Sequence, residues 1–137
     1  MKIKISRRSM VYEIKKQFSS EYPFLKVEFL IPPHFPTGGR HPVIAADNTR
    51  LGNIQPRLKE GAIVVNDMTT VGELESYFRN HLLDVQVFRR SANLWLETTM
   101  TDRWALQKQN SHGREISEFK FMPSSGNSIN DLANDAG

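Results

Sequence analysis

The side chains with the widest chemical range in this chain are four histidines, His34, His41, His81 and His112. Imidazoles ligate metals and move protons near neutral pH. His34 and His41 share one stretch, but they lack both i, i+4 spacing and supporting carboxylates, so no metal site is expected. Between them, Gly38-Gly39-Arg40 offers backbone amides and a guanidinium to an anion. The rest of a P-loop or dinucleotide fingerprint is missing. His34, Gly38, Gly39, Arg40 and His41 together form a candidate functional loop in a Pro- and Gly-rich stretch from Ile31 to His41. His81 falls late in a predicted helix, where a charged imidazole suits the dipole. The chain has no cysteine, which excludes disulfide frameworks, thiol nucleophiles and zinc-thiolate sites. No nucleophile–base or carboxylate pair can be assembled, so an enzyme is the least supported reading and no cofactor is expected.

Arg7-Arg8, Lys15-Lys16 and Arg89-Arg90 point toward nucleic acid. The net charge is only +3; residues 1–112 hold 16 Lys and Arg against 11 Asp and Glu, and the remainder 2 against 4. That is mildly basic. A ferredoxin-like RNA binder carries aromatics on its central strands, and neither Met1–Ile5 nor Ala62–Val65 supplies one. No apolar run approaches the roughly 20 residues of a membrane helix, so no membrane partner is expected. The alternating strand pattern begins at once and leaves no room for a secretory signal, which makes a cytoplasmic location the expectation.

Any such chemistry must be positioned by regular elements, and the clearest run from Ala62 to Arg90. Ala62–Val65 reads as a buried strand. Thr70-Val-Gly-Glu73 has capping-box spacing. Val71, Leu74, Phe78 and Leu82 follow at helical period, with Glu75, Arg79 and Asn80 opposite. Val85 and Val87 then alternate with Gln86 and Phe88 as a strand with unlike faces. Two strands flanking such a helix imply a right-handed parallel crossover.

The first half of the chain repeats this pattern. Ile3 and Ile5 alternate with Lys2 and Lys4; Ser9 is the expected helix cap; Val11, Ile14 and Phe18 mirror Val71, Leu74 and Phe78. Tyr22-Pro23 closes the helix. Leu25–Phe29 is matched to Leu83–Val87 across a two-residue gap, Pro42–Ala46 to Leu94–Thr98, and Thr49-Arg-Leu51 to Asp102-Arg-Trp104. The expected fold is therefore α+β and two-layered, built from duplicated β-α-β-β units with a ferredoxin-like βαββαβ order and extra strands. A pair of β-grasp-like modules is the alternative. One pseudo-symmetric domain spans 1–118, with halves at about 1–56 and 60–112. Gly113 is read as the end of the last helical turn, and 119–137 as a largely disordered tail.

If Val85 and Val87 face the core, Phe88 turns to the opposite face with Gln86. Leu94 and Leu96 then take the core side of the next strand, and Trp95 joins Phe88, with Arg90 beside them. Phe88, Arg90 and Trp95 form the candidate partner surface, since Trp and Arg dominate interface hot spots. The apolar residues of the other half, or Phe119 and Phe121 from the tail, are the alternative cover for this patch from within the chain.

Met68-Thr-Thr-Val-Gly-Glu-Leu74, Asp84-Val-Gln-Val-Phe-Arg-Arg90 and Leu94-Trp-Leu-Glu-Thr-Thr99 resemble small bacterial proteins that share this duplicated layout. The resemblance covers most of residues 1–118 and carries no functional residue. A weaker likeness to ubiquitin-type β-grasp folds rests on element order. The expected function is a non-catalytic protein–protein interaction or scaffold module, binding another protein or a second copy of itself. A nucleic-acid-binding protein is the alternative.

Overall fold

A computed structural model describes residues 1–32 and 43–119, the Phe119 side chain excepted. Strand β1, Lys2–Ile5, buries Ile3 and Ile5 and exposes its two lysines, as its alternation requires. Helix α1, Val11–Glu21, buries Val11, Ile14 and Phe18 along one stripe. It begins at Met10, whose N–H donates to the Glu13 carboxylate at 2.9 Å. The cap expected at Ser9 does not form; the Ser9 hydroxyl instead accepts from the Ser6 N–H at 3.2 Å. Strand β2, Leu25–Ile31, follows Pro23, and β3, Val43–Ile44, pairs back on its end. A single helical turn, α2, covers Leu51–Ile54.

The second half opens with β4, Gly61–Val64, and α3, Val71–Asn80. β4 is buried on one face only: Ile63 is inside, while Ala62 and Val64 are exposed. The Thr70 capping box is complete, with Glu73 N–H to Thr70 Oγ1 at 3.1 Å and Thr70 N–H to Glu73 Oε1 at 3.0 Å. α3 stops short of Leu82, which has φ 68° and is 44% exposed rather than part of the helical stripe. There Leu82 and Leu83 donate to Arg79 and Phe78 carbonyls, which ends the helix and aims the chain into the next strand. Strands β5, Asp84–Ser91, and β6, Leu94–Glu97, form a hairpin. A 3-10 turn, Thr99–Thr101, precedes α4, Leu106–Phe119.

The molecule is α+β, and every strand pairing among the described residues is antiparallel. The parallel crossover expected from β-α-β order is absent, because β1 and β2 do not share a sheet. β1 pairs with β4 in a two-stranded sheet; β2 pairs with β5 at the centre of a four-stranded sheet ordered β3-β2-β5-β6. α1 and α3 therefore each link the two sheets, and the handedness rule for strands within one sheet has nothing to act on. The two halves share one apolar core in which Phe18, Phe29 and Phe78 are fully buried. Phe29 and Phe78, one from each half, meet edge-on at 5.4 Å.

Hydrogen bonding also corrects the repeat alignment. Val27 lies opposite Val87, so Leu25–Phe29 corresponds to Val85–Arg89 without a gap. Leu51 donates to the Ser9 carbonyl as Leu106 does to Thr69, and Val11 to Thr49 as Val71 does to Trp104. Thr49-Arg-Leu51 thus answers Trp104-Ala-Leu106 rather than the segment at Asp102. Gly113, expected to end a helix, lies buried within α4, where a Cβ would sit 3.0 Å from both Arg89 Cγ and Phe24 Cβ. The glycine is a close-approach position, not a terminator.

Candidate interaction surface

Along β5 the odd-numbered Val85 and Val87 point into the core, which turns Gln86, Phe88 and Arg90 to the other face. Cross-strand register sets Lys26 of β2 opposite Phe88, and Trp95 of β6 opposite Arg90. All four side chains are partly exposed. The Lys26 ammonium lies 5.3 Å from the Phe88 ring centroid and 5.0 Å from that of Trp95. The Arg90 guanidinium lies 5.3 Å from the Trp95 centroid and donates from Nε to the Ala92 carbonyl at 2.6 Å. The result is a ladder of alternating cations and rings, each cation drawn to the negative face of a ring. Phe88, Arg90 and Trp95, predicted from alternation alone, are side by side. Lys26, supplied by the other half of the chain, was not foreseen.

Leu94 and Leu96 do point to the core side of β6, yet they remain 65% and 42% exposed. β6 is the edge strand, and the helices that cover β2 and β5 do not extend over it.

Glu28, next to Lys26 but one, tempers the charge of this face. Its carboxylate is buried and pairs with Lys15 of α1, which also binds Asp47 at 2.7 Å; Lys26 is 3.8 Å away. Burial works against the Lys15 ammonium, but the hydrogen bonds and charges of Asp47 and Glu28 outweigh it and raise its pKa. Glu28 is thereby shared between Lys15 and, at longer range, Lys26; Lys26 and Arg90 are the cations of the patch, with Glu97 exposed at its rim.

Behind the patch, α4 anchors β5 from the core side. Arg89 donates to Gln109 Oε1 at 2.8 Å, and Gln109 donates to the Thr101 carbonyl at 2.6 Å. Asn110 accepts from the Phe24 N–H at 2.8 Å, and Ser117 from the Ala92 N–H at 3.2 Å. Trp104 sits among Arg89 at 5.5 Å, Lys108 at 4.4 Å and the edge-on ring of His112 at 5.4 Å. Burial lowers the pKa of Arg89; burial and then the Arg89 charge lower that of His112. Sequence periodicity missed this whole cluster, because the stripe that α4 buries is largely polar.

His81 closes α3, and its Nδ1 hydrogen-bonds the Lys59 carbonyl. Among the described residues no group of three His, Cys, Asp or Glu is placed to hold a metal ion. No helix there is long and apolar enough to cross a membrane. His34, Gly38, Gly39, Arg40 and His41 lie outside the described residues, as do the Phe119 side chain and Phe121. Comparison of the chain with family models, with curated proteins and with solved structures finds no match.

Proposed function

We infer that the protein is a non-catalytic interaction module that docks another protein on the Lys26–Phe88–Arg90–Trp95 face. One observation carries this reading: two aromatic rings and two cations from three strands converge on one partly exposed sheet face, over a base locked by α4. Aromatic side chains supply large contact area with little entropy loss, and arginine adds a planar fork of hydrogen-bond donors, which suits both to anchoring interfaces. The cations favour a partner with acidic groups at its contact.

The same ladder supports a second reading as a single-stranded nucleic-acid platform. Phe88 stands on a central strand of the four-stranded sheet, where stacking aromatics of such binders lie. β1 and β4, which lack aromatics, are not the central strands of that sheet, because they pair separately.

Trp95→Ala and Arg90→Glu test both readings against wild type. Circular dichroism checks folding, sedimentation velocity follows self-association, and mass spectrometry identifies proteins cross-linked in the source cells. The protein-docking reading expects folded variants that lose an association wild type makes. A salt-sensitive loss of oligonucleotide binding favours the second reading instead. If Trp95→Ala unfolds the chain and wild type has no association to lose, Trp95 is a core residue and both readings fail.

A further inference from the structure

The two outer edges of the β1–β4 sheet are pseudo-equivalent, but among the described residues only the β1 edge has a side chain bonded to it. Met1 and Val65 exchange hydrogen bonds, Met1 N to Val65 O at 2.7 Å and Val65 N to Met1 O at 2.8 Å. Such pairs alternate in an antiparallel ladder, so Ile3 and Ile63 also bond to each other. Lys2 and Lys4 on one side, and Ala62 and Val64 on the other, therefore turn their N–H and C=O groups outward.

On the β1 edge, Gln17 of α1 donates its side-chain amide to the Lys2 carbonyl at 2.6 Å. The two lysines add charge, a common guard against strand pairing. On the β4 edge the residue equivalent to Gln17 is Tyr77, which offers no such amide. Among the described residues no group outside β4 bonds the backbone of Ala62 or Val64. Neither carries a charge, and Val64 is 66% exposed. A groove of about 230 Å³ runs beside this edge, lined by Ala62, Ile63, Val64, Tyr77, Asn80 and His81.

We propose that the β4 edge accepts an extended segment of a partner protein as an added strand. The outward N–H and C=O dipoles of Ala62 and Val64 complement those of another strand, the basis of recognition by strand addition. A partner residue opposite Ile63 shares its face and enters the groove between β4 and α3. The groove volume suits one apolar side chain there, bounded by Tyr77, Asn80 and His81. A second copy of this chain cannot supply it through its own β4. The residue brought opposite would be Ile63 of that copy, which is buried in its own core.

The test uses the full chain and a phage-displayed library of random peptides. In the free protein the Ala62 and Val64 amides exchange rapidly with solvent. Selected peptides slow both, with an apolar residue recurring at one position. Val64→Pro removes an outward N–H without touching the β1 pairing, and Tyr77→Gln installs the side chain that on the β1 edge occupies the Lys2 carbonyl. Each weakens peptide binding by about tenfold or more, roughly the loss of one or two hydrogen bonds. If Val64→Pro fails to fold, Tyr77→Gln alone decides. The proposal is overturned if no selected peptide protects these amides, or if the folded variants bind unchanged. It is likewise overturned if the amides are already protected in the free protein, since the chain then covers its own edge.

Discussion

Val27 and Val87 face each other across the β2–β5 seam, and they stand sixty positions apart, 87 less 27. Ile3 and Ile63 face each other across β1–β4 at the same separation, 63 less 3. A strand pair in which a residue meets its own counterpart is centred on a two-fold axis. The repeat therefore acts through its own symmetry: each half supplies one strand to the two-stranded sheet and two to the four-stranded sheet, and neither half has a complete sheet without the other.

Phe18 and Phe78 occupy equivalent, fully buried positions on α1 and α3. Either Phe→Ala change is expected to cost about 3–5 kcal/mol, measured by denaturant unfolding with the slope checked for two-state behaviour. A loss below about 1 kcal/mol at both positions contradicts the shared core.

Leu82 holds φ 68° and is partly exposed rather than packed in the core. Leu82→Gly removes the left-handed penalty and little packing, so it raises stability by about 1 kcal/mol. A glycine that lowers the melting temperature shows instead that the leucine contact outweighs the backbone strain.

Gly113→Ala acts in the opposite sense to helix propensity. The added methyl meets Arg89 Cγ and Phe24 Cβ at 3.0 Å and the Arg90 carbonyl at 3.2 Å. The overpacking cost of about 1–3 kcal/mol exceeds the propensity gain of about 1 kcal/mol. Thermal unfolding should show net destabilisation, while an alanine at exposed Ser111 of the same helix has little effect.

His112 gives the fold a definite pH dependence. Burial beside Trp104, with the charges of Arg89 and Lys108, depresses its pKa, and Glu115 opposes the shift only in part. The unfolded chain then binds the proton more readily than the native one. The neutral ring's contribution is complete above the ordinary value of about 6.5 and is lost as pH falls from there through the folded value. Melting curves across this range should fall more steeply for wild type than for His112→Gln. Parallel curves would mean the imidazole is free to charge where it sits.

Short-range pattern determined a good deal of this. The alternation of Ile3 with Lys2 and Lys4, the stripe Val11-Ile14-Phe18, the Thr70–Glu73 box and the opposite facing of Val87 and Phe88 all follow from the periods of helix and strand. Those periods say which side of an element is apolar, and so they put Phe88, Arg90 and Trp95 on one face. They do not say which strand lies beside which. Whether β1 joins β2 or β4 depends on contacts made some sixty residues apart, and only the assembled core decides between them. The same holds for α4, whose inward stripe of Gln109, Asn110, Gly113 and Ser117 satisfies polar partners instead of filling an apolar layer. A hydrophobic period cannot register a helix held in place by hydrogen bonds. Lys26 reached the aromatic face for the same reason: strand register across the two-fold set it opposite Phe88, and register is a property of the folded pair.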